Sequence, residues 1–164
     1  MGLLNKIFGG NKEKNNVILS PVEGEAVPIS EVSDPTFGEE ILGKGIAVKP
    51  NKGRVVSPVT GTIDMMFDTG HAVSILSNIG TEILIHVGLD TVKLKGKHYK
   101  TYVKNGDKVK IGDLLIEFDI DAILSEGYDV ITPIVICNTP DYAQVEPLSG
   151  KAVHELDELI ILKK

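Results

Sequence analysis

The chain has 164 residues, enough for one domain whose core needs no disulfide or metal staple. Its 17 Lys and Arg stand against 23 Asp and Glu, and the net charge of −6 argues against a partner held through nucleic-acid phosphates. A single cysteine excludes an intramolecular disulfide, no apolar run approaches the roughly 20 residues of a membrane helix, and the start lacks a signal peptide's apolar centre; a cytoplasmic protein is expected.

In chain order, residues 1–16 differ from the rest. Leu3, Leu4, Ile7 and Phe8 recur at helical spacing beside Lys6, Gly9-Gly10 ends any helix, and a polar stretch follows to Asn16. Three lysines against one glutamate give +2, so this tail reads as a flexible segment or as an amphipathic one whose residues 1–10 touch anionic lipid weakly. Lys6 stands where an acylation signal opening on Met1-Gly2 needs Ser or Thr.

Residues 17–164 read as a single domain of short strands. The runs Ile46–Val48, Arg54–Val56, Ala72–Leu76, Ile83–Leu89, Leu114–Ile120 and Ile134–Cys137 are strand-length, and helical periodicity is confined to Asp121–Glu126. An all-β antiparallel sandwich or barrel with a few short helical turns is expected. Ser20-Pro21-Val22-Glu23-Gly24 returns as Ser57-Pro58-Val59-Thr60-Gly61, and more loosely as Pro147-Leu148-Ser149-Gly150, each a Pro-x-x-Gly turn entering a strand. Gly106-Asp107 and Gly112-Asp113 mark two further corners, after which Leu114, Ile116, Phe118 and Ile120 should face inward and Glu117, Asp119 and Asp121 outward. This combination resembles the barrel-sandwich units of biotinyl and lipoyl carrier domains. The Ala-Met-Lys-Met-like hairpin that carries their modified lysine is missing, so swinging-arm chemistry is not expected.

The chemistry concentrates on two histidines. Alternation over Ile83–Leu89 puts Ile83, Ile85, Val87 and Leu89 on one face and Leu84, His86 and Gly88 on the other, with Gly88 expected to open space beside the ring. His71 begins another alternating run 15 residues earlier, and Asn78-Ile79-Gly80 supplies the turn of a hairpin, so the two imidazoles can meet in a shallow apolar recess. Cys137, in an apolar run, reads as an inert buried thiol, and His98 and His154 as surface residues. Two facing imidazoles suit phosphoryl transfer through a phosphohistidine, one ring as nucleophile and the other as hydrogen-bond donor to phosphoryl oxygens. They also make half of a tetrahedral zinc site. No nucleophile elbow, P-loop or dinucleotide fingerprint is present.

Gly80, Ile83-Leu84-Ile85-His86-Val87-Gly88-Leu89 and Thr91-Val92 resemble the phosphohistidine signature of the glucose-type IIA components of the bacterial phosphoenolpyruvate-dependent sugar phosphotransferase system. Gly45–Pro50, Ser57-Pro58-Val59 with Gly61-Thr62-Ile63, Thr69 with His71-Ala72, and the Gly-Asp corners also resemble motifs of that family. The resemblance implies a β-sandwich with a duplicated hybrid motif and a phosphotransferase with a phosphohistidine intermediate. In it His86 takes the group on Nε2 from the phosphocarrier HPr and passes it to a cysteine on the IIB domain of a sugar permease. It further implies that His71 is the partner imidazole, that Thr69 orients it, and that Asp34 and Asp90 rim the site to meet partner arginines. An apolar collar of Phe37, Leu42, Phe67, Leu84, Val87 and Val92 would form the docking face, more polar than in relatives because Pro35 and Thr36 precede Phe37. No cofactor is required, a monomer is expected, and the tail's likeness to free-standing members suggests a separate polypeptide with peripheral membrane contact. A regulatory reading also follows, in which the unphosphorylated face inhibits permeases or metabolic kinases and a partner carboxylate completes a zinc site at His71 and His86. A lysostaphin-like zinc hydrolase is a third reading, disfavoured because Leu84 stands where its His-x-His pair needs a ligand.

Overall fold

The computed structural model describes residues 16–164, so the amphipathic reading of residues 1–10 lies outside the described residues. From Asn16 onward, β-branched runs between Gly, Pro, Asn and Asp corners give fourteen short strands. They are β1 (Val17–Leu19), β2 (Gly24–Pro28), β3 (Lys44–Pro50), β4 (Arg54–Val56), β5 (Gly61–Met66), β6 (Ala72–Ser77) and β7 (Glu82–His86). The second half adds β8 (Tyr99–Thr101), β9 (Lys108–Val109), β10 (Leu114–Phe118), β11 (Thr132–Ile136), β12 (Gln144–Pro147), β13 (Lys151–Val153) and β14 (Glu158–Lys163). Two short helices, α1 (Pro35–Gly38) and α2 (Ile120–Ser125), and three 3-10 turns complete the described chain. None of its helices is long and apolar enough to cross a membrane.

An eight-stranded sheet in the order β13-β2-β3-β11-β7-β6-β5-β9 packs with two three-stranded sheets, β1-β14-β12 and β4-β10-β8, and every pairing is antiparallel. The main core fills the inside with Ile46, Val48, Ile83, Ile85, Ile134 and Ile136 from the large sheet and Val55, Ile116 and Leu159 from the small ones. A second cluster lies on the outer face of the same sheet: Val27, Ala47, Val135, Ile131 and Leu89, covered by Ile29, Val32 and Phe37. Strands between two cores are apolar on both faces, which is why β11 is buried at all five positions and its sequence does not alternate.

The repeated motif is repeated geometry. Ser20 Oγ donates to Val22 O at 2.7 Å and Ser57 Oγ to Val59 O at 2.6 Å, both serines fully buried. Each backbone then crosses to an Asp corner: Ser20 N–H to Asp157 O, and Ser57 N–H to Asp113 O. Asp107, Asp113 and Asp157 each accept the N–H three residues back, from Lys104, Lys110 and His154. In the third corner Leu156, at φ 72°, occupies the left-handed position that Gly106 and Gly112 hold in the others, and the absence of Gly-Asp hid it from sequence reading.

Two expectations are corrected. Strand β7 stops at His86 rather than running to Leu89, because Gly88 turns to φ 91°. The alternation breaks there and Leu89 joins the outer cluster instead of the face of Ile83 and Ile85. In β10, Leu115 is buried as well as Ile116, because a register shift lies between Leu114 and Ile116, and the strand ends at Phe118, where Asp119 caps α2.

Candidate functional site

The β6–β7 hairpin brings the histidines together. Ala72 pairs with His86 in the ladder, and Val87 N–H donates to His71 O at 2.6 Å just beyond it. The ring centroids lie 4.9 Å apart at 82°, a T-shaped pair in which the rings stand nearly perpendicular. Phe37, held by α1, stands 4.9 Å from His86, and Phe67 meets His71 edge-on at 5.5 Å. Asp34 caps α1 by accepting from Thr36 N–H at 3.0 Å, and Pro35 sits at the first helical position, where its fixed φ and missing N–H carry no penalty. Pro35-Thr36 is thus explained by helix initiation over the site.

The hydrogen bonds fix the state of each ring. His86 Nδ1 lies 2.7 Å from Gly88 O, and a carbonyl oxygen only accepts, so Nδ1 carries the proton and Nε2 keeps a free lone pair. The peptides on either side of Gly88 are held in turn. Leu89 N–H donates to Asp129 O at 3.0 Å, which locks the plane bearing the Gly88 carbonyl. Gly88 N–H donates to Ile131 O at 3.1 Å, and Val87 O accepts two hydroxyls, Thr91 at 2.8 Å and Tyr99 at 2.7 Å. Burial raises the Tyr99 pKa, so it remains a donor. Gly88 does not open space beside the ring as expected: a Cβ there would meet Asp129 O at 2.7 Å and Thr91 Cγ2 at 2.6 Å.

His71 is only 4% exposed, and its Nδ1 lies 2.5 Å from Thr69 Oγ1. A threonine hydroxyl can donate to Nδ1, which leaves the opposite nitrogen, Nε2, as an N–H donor. Burial, then the neighbouring His86, lowers the His71 pKa to about 4. Burial also lowers that of His86, against the opposing pull of the Gly88 carbonyl and of Asp34 and Asp90. Both rings are therefore neutral at pH 7, and the two carboxylates lie within Coulombic reach of His86.

The collar divides by burial. Val92 is 51% and Leu42 41% exposed, and Phe67 and Leu84 are half-buried. Val87 is fully buried, because its side chain follows Ile83 and Ile85 into the main core, so it offers no docking surface. Phe37, 4% exposed, is spent on the outer cluster and the face of His86 rather than on the rim. Cavities of about 620, 500 and 350 Å³ lie elsewhere, and none of the three is lined by His71 or His86. Sequence reasoning missed Tyr99, Asp129 and the Gly88 carbonyl: Tyr99 sits in a lysine-rich loop, and backbone acceptors leave no compositional trace.

Of the other candidates, His98 is bonded to Glu126 and His154 lies 3.6 Å from Glu23, both away from the pair. Cys137 is half-buried with its thiol pKa raised by burial and then by Glu82. Among the described residues no group of three His, Cys, Asp or Glu side chains could hold a metal ion, so the two imidazoles supply half of a zinc site at most.

The fold and the paired rings define an antiparallel β-sandwich protein built around two facing neutral imidazoles. Glucose permease IIA from Mycoplasma capricolum superposes with a TM-score of 0.84 at 33% identity, covering 90% of this chain and 95% of that one. A glucose-specific EIIA component from Oceanobacillus iheyensis is 44% identical over 81% of this chain and 81% of its own length. The beta-glucoside-specific EIIBCA component of Bacillus subtilis is 50% identical over 84% of this chain, and that of Dickeya chrysanthemi 48% over 84%. The chain spans only 22% of the length of those two longer relatives. Residues 16–142 match the family described as phosphoenolpyruvate-dependent sugar phosphotransferase system, EIIA 1. The chain belongs to that family, as a glucose-type IIA component.

Proposed function

We propose that this chain is a cytoplasmic phosphocarrier that takes a phosphoryl group from phospho-HPr on His86 and hands it to the cysteine of a IIB domain, so driving sugar uptake. The observation that carries the reading is the His86 Nδ1–Gly88 O bond, which leaves Nε2 as the free lone pair in a neutral ring. That pair attacks phosphorus, the bond to the donor breaks, and its electrons return to the donor. The proton stays on Nδ1, which keeps donating it to the Gly88 carbonyl. In the second step the cysteine thiolate attacks phosphorus and the P–N electrons return to Nε2. His71, held through Nδ1 by Thr69, donates Nε2–H to the phosphoryl oxygens in both steps, where stabilising the developing charge supplies most of the rate.

Asp34 and Asp90 oppose excess negative charge on a phosphorylated His86, which keeps the group transferable, and offer carboxylates to basic groups of both partners. Leu42, Val92, Phe67 and Leu84 form the exposed and half-exposed apolar part of the docking face. The mechanism uses no metal or cofactor, and it keeps the face free in a monomer. The test is intact mass after incubation with phosphoenolpyruvate, enzyme I and HPr. Wild type and His71→Gln should gain one acid-labile phosphoryl group and His86→Gln none, while His71→Gln should pass the group on about 10²-fold or more slowly. An adduct on His86→Gln would remove the assignment.

A further inference from the structure

Residues 93–110 carry Lys93, Lys95, Lys97, Lys100, Lys104, Lys108 and Lys110 against a single acid, Asp107. The segment's +6 leaves −12 on the rest of a chain whose total is −6. All seven lysines are exposed, and among the described residues only Lys97 has a carboxylate partner, Glu126 at 3.1 Å. Of the acids nearby, Asp107 and Asp113 accept the Lys104 and Lys110 N–H groups, Asp64 on the adjoining strand accepts from Ser74, Asp68 stands exposed, and Lys100 alone shares a cleft with Glu117, Asp119 and Asp121.

These lysines are strung along one margin of the molecule. The segment runs antiparallel to residues 60–70. Gly96 lies beside Thr69, and Tyr99 and Thr101 lie beside Gly70; Asn105 accepts from Met66 N–H, and Lys108 pairs with Thr62. Strand β9 is the end of the eight-stranded sheet, so nothing continues the sheet there. Strand β5, Gly61–Met66, makes the extended part of this margin about 20 Å long, and the turn at 67–70 continues it. Tyr102 and Ile111 project among the charges, each more than 40% exposed.

We propose that this margin rests on an anionic phospholipid surface. The separation of charge orients the molecule, since the −12 remainder is repelled by the same lipids. Lysines hold point charges without the fixed fork of arginine, and a line of them with interspersed aromatic and aliphatic side chains suits a diffuse charged interface better than a shaped acidic protein. Each lysine near such a surface strengthens binding about fivefold. The site lies at one end of the margin, because Thr91 and Tyr99, which hold the Val87 carbonyl, border the lysines. Lipid contact then brings His86 to the level of a membrane-bound acceptor; that consequence rests on the proposed transfer to a permease, whereas the lipid contact itself does not.

The test is flotation of the full chain with vesicles of phosphatidylcholine alone or with added phosphatidylglycerol. Wild type should bind only the second kind, and less as salt rises. Lys93→Gln, Lys95→Gln, Lys104→Gln and Lys110→Gln together should weaken binding about 100-fold or more, whereas Leu3→Glu with Ile7→Glu should leave the phosphatidylglycerol dependence in place. Lack of phosphatidylglycerol-dependent binding, a lysine variant that binds as wild type, or loss in the tail variant would each overturn the proposal. Phosphoryl acceptance by the wild type in solution is measured alongside. Its failure would remove the phosphocarrier reading and leave the lipid result standing.

Discussion

The four histidines of this chain occupy two kinds of surroundings. His98 and His154 face carboxylates, Glu126 and Glu23, at the periphery. His71 and His86 are bonded instead to a hydroxyl and a carbonyl in a desolvated recess. A carboxylate partner favours the protonated ring, which has no lone pair to offer, whereas a neutral acceptor fixes the tautomer and leaves the other nitrogen reactive. The acids nearest His86 act on it only through space: Asp34 spends an oxygen on the Thr36 N–H, and neither Asp34 nor Asp90 is bonded to a ring among the described residues. In the proposed mechanism the reactivity of His86 owes as much to the carboxylate withheld as to the carbonyl supplied.

The largest test of that contrast changes the carbonyl. Gly88→Ala forces a left-handed alanine against Asp129 O, whereas Gly106→Ala, at the similar φ of 89°, meets nothing within 4 Å. Gly106→Ala should lose about 1 kcal/mol and keep full phosphoryl acceptance, and Gly88→Ala should lose about 3 kcal/mol or more and most of its acceptance. Urea midpoints and mass labelling measure both. Equal effects would mean that the Gly88 carbonyl is not special.

Acidification comes next. A His71 pKa of about 4 in the folded chain lies below its ordinary 6.5, so between these values the unfolded chain binds more protons and folding stability falls as pH falls. The contribution, fully present above pH 6.5, is lost towards pH 4 and amounts to at most about 3 kcal/mol. His71→Gln should flatten the stability profile in that window, and an unchanged slope would show that His71 is not desolvated as described.

The smallest effect separates two tyrosine hydroxyls, one half-buried and one buried. Tyr99 holds Val87 O beside the site, and Tyr142 bonds Thr81 at 2.6 Å near the far end of β7. Each Tyr→Phe change should lower stability by about 1–2 kcal/mol. Only Tyr99→Phe should slow phosphoryl acceptance, by a few-fold because Thr91 still holds the same carbonyl, and raise the Nε2–H tautomer of His86 seen by nitrogen NMR. An acceptance rate equally affected by Tyr142→Phe would reduce Tyr99 to a structural role.

Much of this was legible before the fold was known. Turn residues and β-branched runs determined an all-β chain, the Ser-Pro repeat determined a duplicated unit, and His71, His86 and Thr69 followed from hairpin spacing and family signature, because these are local patterns with local causes. The burial of Val87 was already implied by its place on the face of Ile83 and Ile85, against the collar reading that put it on the surface. Contacts distant in the sequence were left to the tertiary structure. It alone turned Gly88 so that its carbonyl reached His86, and brought Asp129, Ile131 and Tyr99 to hold the flanking peptides. It also laid seven lysines along one margin. Backbone acceptors and the juxtaposition of remote segments depend on how the sheets pack, and no side-chain pattern along the chain encodes them one residue at a time.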